Sequence, residues 1–330
     1  MSAGVAGAAD LAFLNRGHPV LDAHNCYPYD GRWNDRTRRA LDSGYPVSIE
    51  QDLAWYVDPK TGKGRIVVSH TPRPTGREPT LRAYFFERVR PIIEKALAEN
   101  KRSQWPLIIL HFDFKDTRPE ILHAAWHLLG EYQPWLSTAA KTADPYQLSP
   151  IDRKPVLVVT EDSDAQAKVF YDDVPVGGRL RLFGSAHTQD PPPGDGPAQR
   201  ARWEATAPPA QLLTTRATDY RRWWNNSWWV VEEGGETRAG AWTKGDDERL
   251  RALVNYAHDQ GYWIRFYTLD GFGQAQDRGW DAGYNFGSMH RVIPRWQAAI
   301  AAGVDFIATD QYEALSRYLH QRDQDLRPGN

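Results

Sequence analysis

The sequence of 330 residues predicts an α/β fold, a distorted (β/α)8 barrel forming one domain over residues 1–330. Three observations carry that reading. Short apolar runs alternate with helix-period segments along the whole length, the pattern of repeated βα units around a parallel sheet. Eight strand candidates can be placed, the number such a barrel needs. Ionisable residues interrupt the apolar letters of the first candidates, where a chain builds chemistry rather than core: LDAHNCYPYDGRW at 21–33 and SIEQDLAW at 48–55.

Taken in order, the strands are expected at 20–24, 47–53, 107–114, 156–160, 180–184, 228–231, 263–268 and 305–309. RIVVSH at 65–70 reads as an extra extended piece after the second strand, in a hairpin or loop. A helix is expected over 81–100, with Pro91 as a kink or break. Another is expected over 246–260, where Leu250, Leu253, Val254 and Ala257 share one face and Gly261 sits where a C-cap glycine belongs. A third over 293–302 leads through Gly303 into the last strand. QDPPPGDGP at 189–197 and the tryptophan-rich RRWWNNSWW at 221–229 read as parts of insertions around 186–245.

Composition excludes several function classes. The formal net charge of -2 offers no basic field for a phosphate backbone, so no nucleic-acid partner is expected. A single cysteine, Cys26, rules out an intrachain disulfide framework and a cysteine zinc site. The cleanest apolar run, 105–110, is far short of the ~20 residues that span a bilayer. The small residues of MSAGVAGAAD resemble the surroundings of a signal cleavage site, so a secreted or periplasmic protein is expected.

In a strand, residues i and i+2 share a face roughly 6 to 7 Å apart, so Glu50 and Asp52 point the same way. Two like charges on an inward face call for a compensating cation, and a metal is the simplest. In ILHFDFK, His111, Asp113 and Lys115 likewise share a side, and the last two reach the strand's end. With Asn25, these carboxylates make an oxygen-rich pocket suited to Ca2+ or Mg2+ and poorly suited to zinc. His24 and His70 near such a pocket serve better as proton carriers than as ligands. His111 lies deeper and reads as packing or support, and Glu161 as a helix cap or a pocket residue. His187, Tyr267 and Trp280 are candidates to line a substrate pocket, where rings can stack on a polyol headgroup or meet a lipid interface.

The order H-N, then E-x-D on a strand, then V-V-S-H, then D-x-K at the next strand's end resembles the PLC-like phosphodiesterases. That superfamily holds phosphatidylinositol-specific phospholipase C, glycerophosphodiester phosphodiesterase and sphingomyelinase D. WIRFYTLDG and GVDFIATD (303–310) look like the seventh and last barrel strands of the glycerophosphodiesterases, while 161–243 shows little likeness. The resemblance implies His24 and His70 as the catalytic histidines and Glu50, Asp52 and Asp113 as metal ligands. It also implies Lys115 as the lysine that stabilises phosphoryl charge, and attack by a neighbouring substrate hydroxyl to give a cyclic phosphodiester. Asn25 departs from the arginine usual in glycerophosphodiesterases and matches the metal-ligating asparagine of calcium-dependent phospholipases, whereas D-x-K matches the other branches. The expected substrate is thus a phosphodiester of lipid or polyol headgroup, with peripheral membrane contact. Two readings stand beside it: a glycoside hydrolase barrel, which needs no metal and survives chelator, and a barrel that binds a phosphorylated or lipid ligand without turnover.

Overall fold

The structure, a computed structural model, describes residues 13–14, 19–28, 32–273 and 282–325. Its strands are β1 (Val20–Ala23), β2 (Val47–Val57), β3 (Gly64–Val68), β4 (Ile108–Phe114), β5 (Ala139–Ala140), β6 (Val156–Thr160), β7 (Arg179–Leu180), β8 (Phe183–Ser185), β9 (Arg221–Ser227), β10 (Trp263–Tyr267) and β11 (Phe306–Thr309). Eight parallel strands, β1, β2, β4, β6, β8, β9, β10 and β11, close into a barrel. The extended piece expected at 65–70 is β3, antiparallel on β2.

Two expected strands are corrected. The fifth lies at β8, and Leu180 belongs instead to β7, which pairs with β5 in a separate ribbon. The sixth is β9, within the stretch read as an insertion, and Trp228–Val230 is a 3-10 turn. The tryptophans obscured it: Trp223 and Trp224 are both fully buried, so the segment shows neither the alternation of a half-exposed strand nor an aliphatic run.

Contacts group the chain into two compact units, one of residues 25–185 and 218–222, the other of 1–24, 186–217 and 223–330. In the first, β2, β4 and β6 lie in register, with Val47 opposite Ile108 and Ile108 opposite Val156. Their aliphatic residues are almost all buried, as expected of parallel strands covered on both faces. The helical stretch at 81–100 is split: a π-type turn, Arg82–Phe86, buries Tyr84, Phe85 and Phe86, and an α-helix, Glu87–Glu99, follows. Pro91 lies inside that helix without ending it, and Asn100 closes it in the left-handed conformation.

In the second unit, Lys244–Asp259 is the expected amphipathic helix. Thr243 and Asp246 cap it reciprocally, and Leu250, Leu253, Val254 and Ala257 are its buried face. Met289–Ala302 ends at Gly303, whose φ of 81° is one a side chain would resist. A buried ion pair braces this unit: Arg295 donates through Nε and Nη2 to Glu232 at 2.6 Å each, and Trp228 Nε1 donates to the same carboxylate at 2.7 Å. Removing the guanidinium leaves a charge buried without its partner. Arg295→Ala should lower stability by about 3–5 kcal/mol, seen as a fall in the urea midpoint at unchanged slope.

Glu236 is buried in the same unit, with Oε1 accepting from the Thr268 amide at 3.1 Å and Oε2 without a hydrogen-bond partner. Burial pushes its pKa up to about 7, against the backbone hydrogen bonds that lower it. A carboxyl whose folded pKa exceeds its unfolded value contributes stability below the unfolded pKa, lost as pH rises through the folded one. Stability should therefore fall from about pH 4.5 through 7 on account of this group, and Glu236→Gln should flatten that part of a thermal-denaturation pH series.

Candidate active site

In the first unit, the register of β2 on β4 sets Glu50 beside His111 and Asp52 beside Asp113. Period-two geometry on both strands thus stacks four polar side chains in two adjacent rows on one face. Glu50 and Asp52 are buried, and one oxygen each from Glu50, Asp52 and Asp113 can be chosen within 4.8 Å of one another. Lys115 follows at the end of β4, its Nζ donating to Asp113 Oδ2 at 2.6 Å and lying 3.0 Å from Asp52 Oδ2. Burial works to lower the lysine's pKa, but the charges of Asp52 and Asp113 outweigh it and hold the ammonium above its ordinary range.

His70, exposed just beyond β3, places Nδ1 2.7 Å from Asp52 Oδ2 and 3.1 Å from the Tyr27 hydroxyl. Tyr27 donates to Asn25 Oδ1 at 2.7 Å and stacks on the His70 ring with centroids 6.2 Å apart. Asn25 itself sits at φ 52°, a left-handed conformation asparagine tolerates, and its carbonyl accepts from Arg36 Nη1 at 2.8 Å. His111 is fully buried, with Nε2 2.7 Å from Glu161 Oε1 and Nδ1 3.8 Å from Glu50 Oε2. It therefore supports Glu50 from behind, as its depth in the strand suggests. Glu161 is not the helix cap: Ser163 caps the helix Asp164–Ala167 by accepting from the Gln166 amide.

These residues fit a hard divalent cation. The donors are all oxygens, and Asp52 Oδ1 is buried with no hydrogen-bond partner among the described residues while Oδ2 faces His70 and Lys115. An acceptor desolvated without a donor is costly unless something positive meets it.

The second unit carries its own ionisable group at the ends of its strands. His24 follows β1, with Nδ1 3.0 Å from Asp310 Oδ1 and the Thr268 hydroxyl 3.4 Å from Nε2. Tyr312 donates to the His24 carbonyl at 2.6 Å. Behind Asp310 lies Asp270, whose Oδ1 accepts from the Thr309 hydroxyl at 2.6 Å and the Asp310 amide at 2.7 Å. Burial first, and the neighbouring Asp310 charge second, push Asp270 well above the usual carboxylate range. Tyr267 stacks on His24 at 6.4 Å between centroids, and Tyr284 meets the same ring edge-on at 6.4 Å.

Of the residues singled out in the sequence, Glu50, Asp52, Asp113, Lys115, His70 and Asn25 therefore belong to one connected cluster, and Tyr267 lies against His24. His187 is exposed in the stretch after β8, and Trp280 lies outside the described residues. Sequence reading gave no role to Tyr27, Asp270 or Asp310. Each ends or follows a strand within a quoted motif, so the strand-end rule applied to carboxylates and hydroxyls would have found them.

No family model and no curated protein matches the sequence. Among solved structures, the chain is similar to a calcium-dependent phosphoinositol-specific phospholipase C from Pseudomonas sp. at 14% identity, covering 90% of each chain with a TM-score of 0.45. It is similar to a glycerophosphoryl diester phosphodiesterase from Parabacteroides distasonis at 13% identity, covering 95% of this chain and 92% of that one, TM-score 0.41. A Plasmodium falciparum HPPK-DHPS chain also aligns, at 10% identity over 94% of this chain and 48% of that one, TM-score 0.44.

Proposed function

We propose that the chain is a metal-dependent phosphodiesterase, and the observation that carries the reading is the Glu50, Asp52 and Asp113 cluster with Lys115 and His70 on its rim. Three carboxylates and one ammonium, counted at their formal charges, leave two negative charges, which a Ca2+ or Mg2+ ion would neutralise. Asn25, Glu50, Asp52 and Asp113 would hold that ion, which would supply positive charge to the phosphoryl oxygens.

The histidines share a design that suits proton transfer. Each has Nδ1 against a carboxylate, His24 on Asp310 and His70 on Asp52. Such a contact fixes the ring and leaves the exchange of protons to Nε2. In this reading an imidazole so held can take the proton of an attacking substrate hydroxyl or give one to the leaving oxygen. A cyclic phosphodiester results when the attacking hydroxyl belongs to the substrate. Lys115 places its ammonium beside the developing phosphoryl charge. Tyr267, stacked on His24, and Tyr284, 40% exposed, offer ring faces for a polyol headgroup. The carboxylates are engaged with a lysine and a histidine rather than poised as an acid and base pair, which favours this reading over glycoside hydrolysis.

Three outcomes are expected. Phosphorus-31 spectra of a panel of phosphoinositide, glycerophosphodiester and sphingomyelin should show cleavage of at least one member, abolished by EDTA and restored by a divalent cation. No cleavage with any member, or cleavage indifferent to EDTA, would overturn the reading. His24→Ala and His70→Ala should each lower the rate by about 10²- to 10⁴-fold with an unchanged thermal midpoint. Independently of turnover, Ca2+ or Mg2+ should raise the melting temperature, by about 2.7 kcal/mol of stability at a hundredfold excess over the dissociation constant. Asp52→Asn should remove that increment.

A further inference from the structure

We infer that the β2–β3 hairpin and the segment that follows it form a basic surface that seats the protein on an anionic lipid bilayer, with His70 at its root. Residues 56–79 carry five cations, Lys60, Lys63, Arg65, Arg73 and Arg77, against the carboxylates Asp58 and Glu78. The net +3 of these 24 residues stands within a chain whose formal charge is -2.

The two carboxylates are engaged in holding the backbone. Asp58 Oδ1 accepts from the amides of Lys60 and Thr61, and Glu78 accepts from the amides of Thr75 and Gly76 and from the Thr75 hydroxyl. Lys60, Lys63, Arg73 and Arg77 are exposed, and among the described residues their side chains have no ion-pair partner. Elsewhere on the same unit several surface cations are paired, as in Arg82 with Glu131 and Arg90 with Glu87 and Glu94. The contrast matters because a paired cation gives little to a distant anionic surface, whereas unpaired ones add their fields.

Hairpin and loop are also one braced body. Arg65 lies over the Tyr56 ring at 4.5 Å and donates from Nη2 to the Gly76 carbonyl at 2.9 Å. Gly76, at φ 89°, approaches Tyr56 so closely that a Cβ there would strike the ring. Arg65 thereby ties the hairpin to the loop, so the backbone that carries the five cations is braced before binding. Val57, 46% exposed at the end of β2, adds an aliphatic side chain to the same tip. A polyanion such as nucleic acid would satisfy the charges, but an exposed valine on the same hairpin as the lysines is matched by a headgroup layer with acyl chains beneath.

Each lysine or arginine near an anionic leaflet strengthens partition by about fivefold, and the effect is screened within a Debye length. Wild-type protein should therefore sediment with phosphatidylcholine vesicles containing phosphatidylglycerol, remain in solution with pure phosphatidylcholine, and be released by high salt. Replacing Lys60, Lys63, Arg73 and Arg77 together by glutamine should weaken partition by at least about a hundredfold. Replacing Lys95, Lys101, Lys168 and Lys244 by glutamine changes the net charge equally and should leave partition near the wild-type value. Lack of sedimentation, equal sedimentation with both vesicle types, or equal loss in the two variants would overturn the inference. Sedimentation is read without turnover, so a failed cleavage assay leaves this result standing and the reverse also holds.

Discussion

The constraint on which the rest depends is the gathering of three carboxylates on two adjacent strands. At roughly 4 Å, two unit charges repel by about 4 kcal/mol at an effective dielectric of about 20, and Glu50 and Asp52 are withdrawn from water as well. A fold keeps such an arrangement only where positive charge answers it. Lys115 answers two of the three, Asp52 and Asp113, and His70 comes to Asp52 from β3. His111 lies between Glu50 and Glu161, behind the deepest carboxylate. The apolar register of β2, β4 and β6 around these groups is the scaffold that keeps them from relaxing apart.

Much of this was legible in the sequence because β geometry has a period of two. E-x-D and H-x-D-x-K each put their members on one face without knowledge of the fold, and the parallel register then places the two rows side by side. Strand existence followed from aliphatic runs at β1, β2, β4, β6, β10 and β11. It failed at β9 because its buried positions include Trp223 and Trp224 rather than aliphatic residues. Contacts between residues far apart in the chain were beyond a single sequence. His24 and Asp310 are 286 positions apart, and the pairing is set by β1 lying beside β11 in register.

The same chemistry appears twice in different balance. In the second unit the carboxylates outnumber their cations: Asp270, Asp310 and Glu236 surround a single histidine. Burial raises Asp270 and Glu236 well above the usual carboxylate range, and Asp310 is the carboxylate set against His24. In the first unit, by contrast, the surplus charge is met by an ammonium.

Lysine at position 115 suits the second strategy in a way arginine would not. A guanidinium presents a planar fork that engages both oxygens of one carboxylate. The compact ammonium instead touches Oδ2 of Asp113 and Oδ2 of Asp52. Asp52 is thus divided: Oδ2 is shared by Lys115 and His70, while buried Oδ1 has no donor. A bidentate arginine would close off that oxygen and leave the cluster one acceptor poorer. The choice of a point charge over a fork therefore keeps a desolvated anionic oxygen available beside a fixed positive charge, which is the pairing that a divalent ion and a phosphoryl group together require.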